Sequence, residues 1–161
     1  MSVVVLELEG TYELSSSLEL KNPKPGIHYD YYEGYWKNLP AFNGLPAKWS
    51  GIIDQFVIPE NNSGENFAVR YNGYIKIPVD GLYTFYINSD DGTELVIDDN
   101  LVVDNDGQHA PVEQSGTAVL KAGYHQIKVG FFQAGGGKAF DVSIEGSRLQ
   151  KQIISTDFLF H

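Results

Sequence analysis

The sequence predicts an all-β fold, either a sandwich or a barrel. Aromatic side chains make up 13% of the 161 residues, with ten Tyr and nine Phe, and such rings are enriched in strands. Seventeen Gly and seven Pro separate short apolar runs, which is typical of short strands joined by tight turns. A chain of this length can bury one hydrophobic core. We therefore expect a single β domain with little helix.

The first 25 residues differ in character from the rest. Residues 3–8 are nearly all apolar, which suits a strand buried on both faces or an edge strand of a neighbouring module. Pro23 and Pro25 then break the chain, because proline is excluded from central strands. We expect residues 1–25 to be a linker or the tail strand of a neighbouring module, and residues 26–161 to form the main domain.

Nine further runs have the apolar or alternating pattern of strands. They lie at residues 52–58, 67–71, 74–77, 81–87, 94–98, 101–103, 116–120, 126–133 and 140–145. Asn72-Gly73 is a favoured two-residue hairpin turn, and Asp98-Asp99-Asn100 has the chemistry of a chain reversal. Ile127, Val129 and Phe131 recur at every second position, so we expect them to face the core.

The charge balance argues against nucleic acid and membranes as partners. The formal net charge is −10, with 21 acidic and 11 basic residues, so the average field repels phosphate backbones and anionic lipid surfaces. No apolar run approaches the roughly 18 residues of a membrane span, and residues 1–6 lack the features of a signal peptide. Cations and neutral polyhydroxy ligands are compatible with this field.

Two adjacent carboxylates interrupt the strongest strand signal. Asp90 and Asp91 lie between the runs 81–87 and 94–98, which we expect to pair like a hairpin. Neighbouring carboxylates repel each other, so the pair is tolerated either where both are solvated or where a hard cation such as calcium binds between them. As neighbours they do not match a glycosidase, whose two carboxyl groups stand about 5 to 9 Å apart.

Two other polar loops carry candidate ligand groups. Residues 134–138 read Ala-Gly-Gly-Gly-Lys, which is either a flexible hairpin tip or a bare backbone able to approach a ligand or an ion. Residues 104–107 are rich in Asp and Asn. Because no acidic residue follows at the EF-hand spacing, we predict that residues 104–107 form an ordinary loop.

The sequence gives no support for catalysis by this chain alone. It contains no Cys, which excludes thiol nucleophiles and zinc-thiolate sites. The histidines form no H-E-x-x-H or triad pattern, and we predict that His109 and His125 are structural and bridge loop carbonyls. Trp36 and Trp49 are predicted to pack in the core rather than to bind sugar. No catalytic residue is predicted.

Several spaced motifs together resemble the protective-antigen-type domain, the PA-fourteen family. The motifs are Gly81–Phe85, Ser89–Gly92, Leu95–Asp98, Val102–Asp104 and Leu120–Ile127. The aromatic segment Tyr31–Gly34 and the segment Gly73–Gly81 fall in the expected order, and the match runs from about Gly26 to about Gly146. The resemblance implies an antiparallel, jelly-roll-like β-sandwich over residues 26–161, of the lectin-like kind found in yeast adhesins and in bacterial glycoside hydrolases.

The resemblance also implies a site. In the sugar-binding members an Asp-Asp pair joined by a cis peptide holds calcium, and the sugar hydroxyls complete the coordination; the matching pair is Asp90-Asp91. A second loop adds an Asn side chain and backbone carbonyls, where this chain has Gln133 followed by the glycines. The implied calcium ligands are Asp90, Asp91, Gln133 and Gly135, and the implied carbohydrate-binding residues are Asp90, Asp91, Gln133 and Gly136.

The leading hypothesis is a calcium-assisted carbohydrate-binding module that binds a glycan or oligosaccharide. Its parent would be a secreted bacterial glycoside hydrolase or adhesin, located outside the cell, in the periplasm or on the cell surface. The alternative is a non-binding structural module that shapes the cleft of an attached catalytic domain. Gln133 in place of Asn and the linker-like segment 23–25 favour that alternative.

Overall fold

The structure is a computed structural model that describes residues 13–161. Within this range the chain forms eleven β-strands and one short 3₁₀-helix. In chain order these elements are β1 (Ile27–Glu33), β2 (Trp49–Ile53), β3 (Phe67–Ile77), β4 (Gly81–Asp90), β5 (Thr93–Ile97), β6 (Asn100–Asn105), β7 (Val112–Leu120), β8 (Gly123–Gln133), β9 (Ala139–Gly146), β10 (Leu149–Ile153), the 3₁₀-helix Thr156–Phe158 and β11 (Leu159–Phe160). The strand predicted at residues 3–8 lies outside the described range.

The strands form two antiparallel sheets that enclose one core. The larger sheet has the order β2-β1-β3-β8-β5-β6, with β11 also paired to β3, and the smaller has the order β10-β9-β4-β7. The predicted all-β antiparallel sandwich is confirmed. No helix within residues 13–161 is both long enough and apolar enough to cross a membrane.

The core fills the space between the inner faces of the two sheets. On β8, the alternating residues Ile127, Val129 and Phe131 are fully buried, as their spacing predicted. On β4, Phe85 and Ile87 face them from the smaller sheet and are equally buried. Each such side chain contributes about 1.5–3 kcal/mol by leaving water, so the core holds the two sheets together.

A second apolar cluster covers the outer face of the larger sheet. Tyr32, Ala68 and Phe132 are buried there beneath the loop between β1 and β2, which contributes Trp36 among other side chains. Trp49 instead stacks on the buried ring of Tyr31 at a centroid distance of 4.2 Å. Both tryptophans therefore pack against other apolar side chains, as predicted.

The hairpin predicted at Asn72-Gly73 is wrong, because both residues lie inside the continuous strand β3. Asn72 pairs with Lys128 and Gly73 with Ile127 on β8, without a break in register. The glycine serves a different purpose: a Cβ built on Gly73 would lie 2.7 Å from the carbonyl oxygen of Phe160. Gly73 thus lets β11 approach the sheet.

The hairpin predicted around Asp90 and Asp91 is also wrong. β4 pairs with β7 and β9 in the smaller sheet, whereas β5 pairs with β6 and β8 in the larger one. Both edges of β4 are occupied, so β5 cannot add to it. The acidic pair therefore lies where the chain crosses from one sheet to the other.

Two smaller predictions have different outcomes. The reversal at Asp98-Asp99-Asn100 is confirmed: Asp98 and Asp99 have positive φ angles of 47° and 64° between β5 and β6, as a tight hairpin turn requires. The strand expected over residues 52–58 ends at Ile53, because its partner β1 begins at Ile27, which pairs with Ile53.

Residues preceding β1 are bonded to the body of the domain. The amide of Ser15 donates to the carbonyl of Val119 at 2.9 Å, and that of Leu18 donates to the carbonyl of Tyr124 at 2.8 Å. Lys24 and His161 exchange a pair of backbone hydrogen bonds. The predicted role of residues 1–25 as a linker or tail strand stays a prediction.

Candidate functional site

Asp90 and Asp91 form the centre of the site. Asp90 ends β4, and Gly92 follows the pair immediately before β5. The peptide bond between the two aspartates is cis, as predicted. Only 7% of Asp90 and 5% of Asp91 is exposed, so the alternative of an ordinary solvated turn does not hold.

Asp91 joins two distant loops through its carboxylate. Its Oδ1 atom accepts a hydrogen bond from the amide of His109 at 3.2 Å, and its Oδ2 atom accepts one from the amide of Ala134 at 2.8 Å. Bonds of this kind to a charged acceptor are stronger than neutral ones. Asp91 therefore holds the loop after β6 and the loop after β8 against the crossing between the sheets.

Asp90 lies in a different environment. Burial raises the pKa of its carboxyl group, and the neighbouring Asp91 carboxylate raises it further, against a smaller opposing effect of His109. Within residues 13–161 no N–H group donates to Asp90, in contrast to Asp91. The charged form of Asp90 is thus poorly compensated, and a bound cation would relieve this.

Gln133 lies beside the aspartates at the end of β8 and is almost completely buried. Its Nε2 atom donates to the carbonyl of Gly137 at 3.0 Å, whereas its Oε1 atom is buried without a partner among the described residues. A buried acceptor left unpaired costs free energy. The side-chain oxygen of Gln133 is therefore available to a ligand or an ion.

The glycine loop, residues 134–138, borders the same site. A Cβ built on Gly137 would lie 3.4 Å from Oδ2 of Asp90, so this part of the backbone is close to the acidic pair. Gly135 lies nearer to Glu65, and Gly136 is exposed with a φ angle of +78°. The structure brings Asp90, Asp91 and Gln133 together with this loop, whereas a Cβ built on Gly135 or Gly136 meets neither carboxylate within 4 Å.

The oxygen groups at this site fit a hard cation. Carboxylate, amide and carbonyl oxygens are the ligands that calcium prefers. Within residues 13–161 no group of three His, Cys, Asp or Glu side chains could hold a metal. A cation would therefore need the Gln133 oxygen, backbone carbonyls and oxygens of a bound ligand in addition to the two carboxylates.

The sequence did not predict that the loop at residues 105–110 forms part of the site. The ring of His109 bridges the carbonyls of Asn105 at 2.8 Å and Ala110 at 2.9 Å, which confirms its predicted structural role. Burial lowers the pKa of His109, but the hydrogen bonds to those two carbonyls, with the charges of Asp91 and Asp90, outweigh burial and raise it. The group of His109 that donates to Asp91 is its backbone amide. Every residue except proline has such an amide, so the sequence could not predict this contact.

The other predicted structural histidine lies elsewhere in the fold. His125 is fully buried, and its ring contacts the carbonyl of Lys121 at 2.7 Å and the carboxylate of Asp98 at 2.6 Å. The structural role of His125 is therefore confirmed.

An exposed aromatic ring stands near the site. Tyr35 is 60% exposed, and its hydroxyl accepts a hydrogen bond from Nε2 of Gln108 at 3.1 Å. Gln108 also donates to the carbonyl of Trp36 and directly precedes His109, whose amide binds Asp91. Tyr35 is thus an exposed ring connected to the acidic site through one short loop.

We expect Glu94→Gln to stabilise the protein at neutral pH. Burial raises the pKa of Glu94, and the carboxylates of Asp106 and Asp104 raise it further. A raised carboxyl pKa in the folded state means that folding stability falls as pH rises through that pKa. The variant should match the parent in acid and unfold at higher urea concentration at pH 7. Glu60→Gln, at an exposed position, is the control, and an equal gain there would contradict the expectation.

Comparison with known protein families gives a match over most of the chain. The family model described as the PA14 domain matches residues 24–157. This range includes every strand from β1 to β10 and the whole acidic site.

Two curated proteins share sequence with this chain. A beta-hexosaminidase of Porphyromonas gingivalis is 28% identical over 160 residues, covering 89% of this chain and 20% of that protein. The anti-sigma-I factor RsgI3 of Acetivibrio thermocellus is 28% identical over 104 residues, covering 63% of this chain and 16% of that protein. The chain thus spans a fifth or less of the length of these relatives.

Solved structures share the fold at low sequence identity. A PA14 sugar-binding domain from an RTX adhesin has a TM-score of 0.72 at 15% identity, covering 85% of this chain and 98% of that one. The Epithelial Adhesin 6 A domain from Candida glabrata, solved with Galb1-3GlcNAc, has a TM-score of 0.67 at 17% identity, with 88% of each chain covered. An anti-sigma factor domain-containing protein from Clostridium clariflavum has a TM-score of 0.69 at 23% identity, covering 84% of this chain and 47% of that one.

Proposed function

The chain belongs to the PA14 domain family, and on this premise we propose that it is a carbohydrate-binding module assisted by calcium. One observation carries the proposal: two buried adjacent carboxylates, one of them poorly compensated, lie beside a buried amide oxygen without a partner. A cation bound there would balance the charge of Asp90 and satisfy Gln133. No catalytic residue enters the proposal.

The residues divide into two overlapping groups. Asp90, Asp91, the side-chain oxygen of Gln133 and the carbonyl of Gly135 would hold the calcium, and Asp90, Asp91, Gln133 and Gly136 would contact the sugar. Bound calcium would supply a positive charge able to accept oxygen ligands from neighbouring sugar hydroxyls. The exposed ring of Tyr35 offers a face on which a pyranose could stack.

The ligand class that fits is a neutral glycan. The net charge of −10 disfavours polyanions, while hydroxyl groups can both donate to carboxylates and accept from amides. Among the structures of the same fold, one is a sugar-binding domain and another was solved with the disaccharide Galb1-3GlcNAc. Galactosyl disaccharides are therefore the first probes to use.

Calorimetry with the variant Asp90→Asn tests the proposal. The wild type should release or absorb heat with millimolar calcium and then bind glycans on an array, and EDTA should abolish both. Asp90→Asn should lose both responses while unfolding at the same or a higher temperature without calcium, because its uncharged amide avoids the cost of burying a second carboxylate.

Asp99→Asn is the matched control, since the Asp99 side chain is 82% exposed and lies outside the site; it should behave as the wild type. The proposal would be contradicted by an unchanged calcium response in Asp90→Asn, or by a wild type that shows no heat of calcium binding.

The setting proposed for the module is a longer protein that is secreted or displayed on a cell surface. The hexosaminidase relative is about five times longer than the matched segment, which supports attachment to a glycoside hydrolase. The same observation favours a second candidate function, a non-binding module that shapes the cleft of the attached enzyme. If deleting the module from its parent changes hydrolysis of short soluble substrates but not adsorption to polymeric glycan, the second candidate is the better one.

A further inference from the structure

A polar groove lies on the outer face of the larger sheet, away from the edge that carries the acidic pair. It has a volume of about 480 Å³, and its lining residues come from the loop after β1 and from β3 and β8. They are Ala41, Phe42, Asn43, Arg70, Asn72 and Lys128. An adjoining space of about 360 Å³ extends the groove towards Glu94 and Val96. Cavities of this size hold small ligands.

The register of the strands explains why the groove exists. Arg70 on β3 and Glu94 on β5 both pair with Gly130 on β8. These three residues form a row across the sheet, and its central residue is a glycine without a side chain. Two loop side chains take its place: a Cβ built on Gly130 would lie 3.1 Å from Phe42 and 3.2 Å from Leu39. The aromatic ring is thus fixed over the glycine, and the space beside it stays open.

The two cations of the groove are held differently. Arg70 is fixed by Oδ2 of Asp30 at 3.3 Å and Oδ1 of Asn43 at 3.2 Å, with its guanidinium 5.7 Å from the centre of the Phe42 ring. Lys128 has a weaker partner, Asp99, whose side chain is 82% exposed and lies 3.7 Å away. Exposed pairs of this kind contribute little, so the ammonium group of Lys128 can bind another anion.

These features match a carboxylated sugar. Phe42 gives the groove an apolar wall for the carbons of a pyranose. Asn43 and Asn72 offer amides that can donate to and accept from hydroxyls, and Lys128 offers a cation for one carboxylate. We propose that the groove is a second glycan site, specific for a single uronic-acid unit and independent of calcium. A polymer of many carboxylates would be repelled by the net charge of −10, which favours one terminal acidic unit.

The groove is separate from the acidic site. Gly130 precedes Gln133 by three positions on β8, or about 10 Å along the strand. Position 130 belongs to the outer face of the sheet, like Phe132, whereas Phe131 points into the core. The groove would therefore bind its ligand whether or not the acidic site holds calcium. A negative result for the calcium site would not contradict the groove proposal, and a negative result for the groove would not contradict the calcium site.

An NMR titration in EDTA tests the inference. Methyl glucuronoside at millimolar concentration should shift the backbone amides of Phe42, Asn43, Asn72 and Lys128 in a saturable way. Methyl glucoside, which differs only at the carboxylate, and acetate, which lacks the ring, should each bind at least tenfold more weakly. Lys128→Gln should weaken glucuronoside binding about tenfold and leave the fold intact, because the Lys128 side chain is 41% exposed.

Two variants serve as controls. Lys121→Gln removes a charge at another exposed position and should bind as the wild type does, and so should Asp90→Asn. Several results would overturn the inference: no saturable shifts, equal binding of the glucoside or of acetate, undiminished binding by Lys128→Gln, or loss of binding in Asp90→Asn.

Discussion

Asp91→Ala should abolish the calcium response and lower the free energy of unfolding by about 3 kcal/mol. The carboxylate accepts the amides of His109 and Ala134, and each buried donor left without a partner costs about 1–3 kcal/mol. The two loops that it joins would lose their common anchor. Calorimetry with calcium measures the first effect, and urea denaturation measures the second.

The comparison with Asp90→Asn makes this prediction specific. Asp90 receives no N–H donor within residues 13–161, so its neutral variant should lose calcium without losing stability, whereas Asp91→Ala should lose both. Asp99→Asn should lose neither, because the Asp99 side chain is 82% exposed and asparagine tolerates the left-handed backbone of this turn. Asp91→Ala with wild-type stability would show that the two loops are held by other contacts.

Gly92→Ala should destabilise the protein by about 2–3 kcal/mol and weaken the calcium response. A Cβ built on Gly92 would lie 2.5 Å from Cε1 of Phe132, 2.7 Å from the amide nitrogen of Gly107 and 2.8 Å from Oδ1 of Asp106. Relieving such overlap in a packed region requires shifts of the backbone that cost about 1–3 kcal/mol. The residue that must move adjoins Asp91, so the acidic pair would move as well.

Gly44→Ala is the matched control for this substitution. Gly44 has a φ angle of +90°, and a Cβ added there meets no atom within 4 Å. The variant should cost only the left-handed backbone penalty of about 1 kcal/mol and keep the full calcium response. Thermal unfolding with and without calcium separates the two variants. Equal effects at both positions would mean that the contacts around Gly92 are readily relieved.

The site depends on the way the two sheets are connected. A hairpin would place the two strands around the acidic pair in one sheet and leave their loop at an open end. Because β4 and β5 belong to different sheets, the connection between them closes the end of the sandwich, and its side chains are buried among other loops. That burial is the reason why the Asp90 carboxylate is poorly compensated and suited to a cation.

The sequence by itself determined the strand composition of the fold and the position of the acidic pair. Alternation is a local property, so Ile127, Val129 and Phe131 could be assigned to the core from their spacing, and the chemistry of Asp98-Asp99-Asn100 specified its reversal. The family resemblance carried by the motif around Asp90 and Asp91 implied their cis peptide bond. These features depend on residues that are near one another in the chain.

Only the tertiary structure decided which strands pair and what surrounds the carboxylates. Asn72-Gly73 reads as a turn, but pairing with β8 over the whole length of β3 outweighs that local preference. The donors to Asp91 are backbone amides 18 and 43 positions away in the chain, and every residue except proline has such an amide. Their role is fixed by the meeting of three loops in space, which no local pattern of residues specifies.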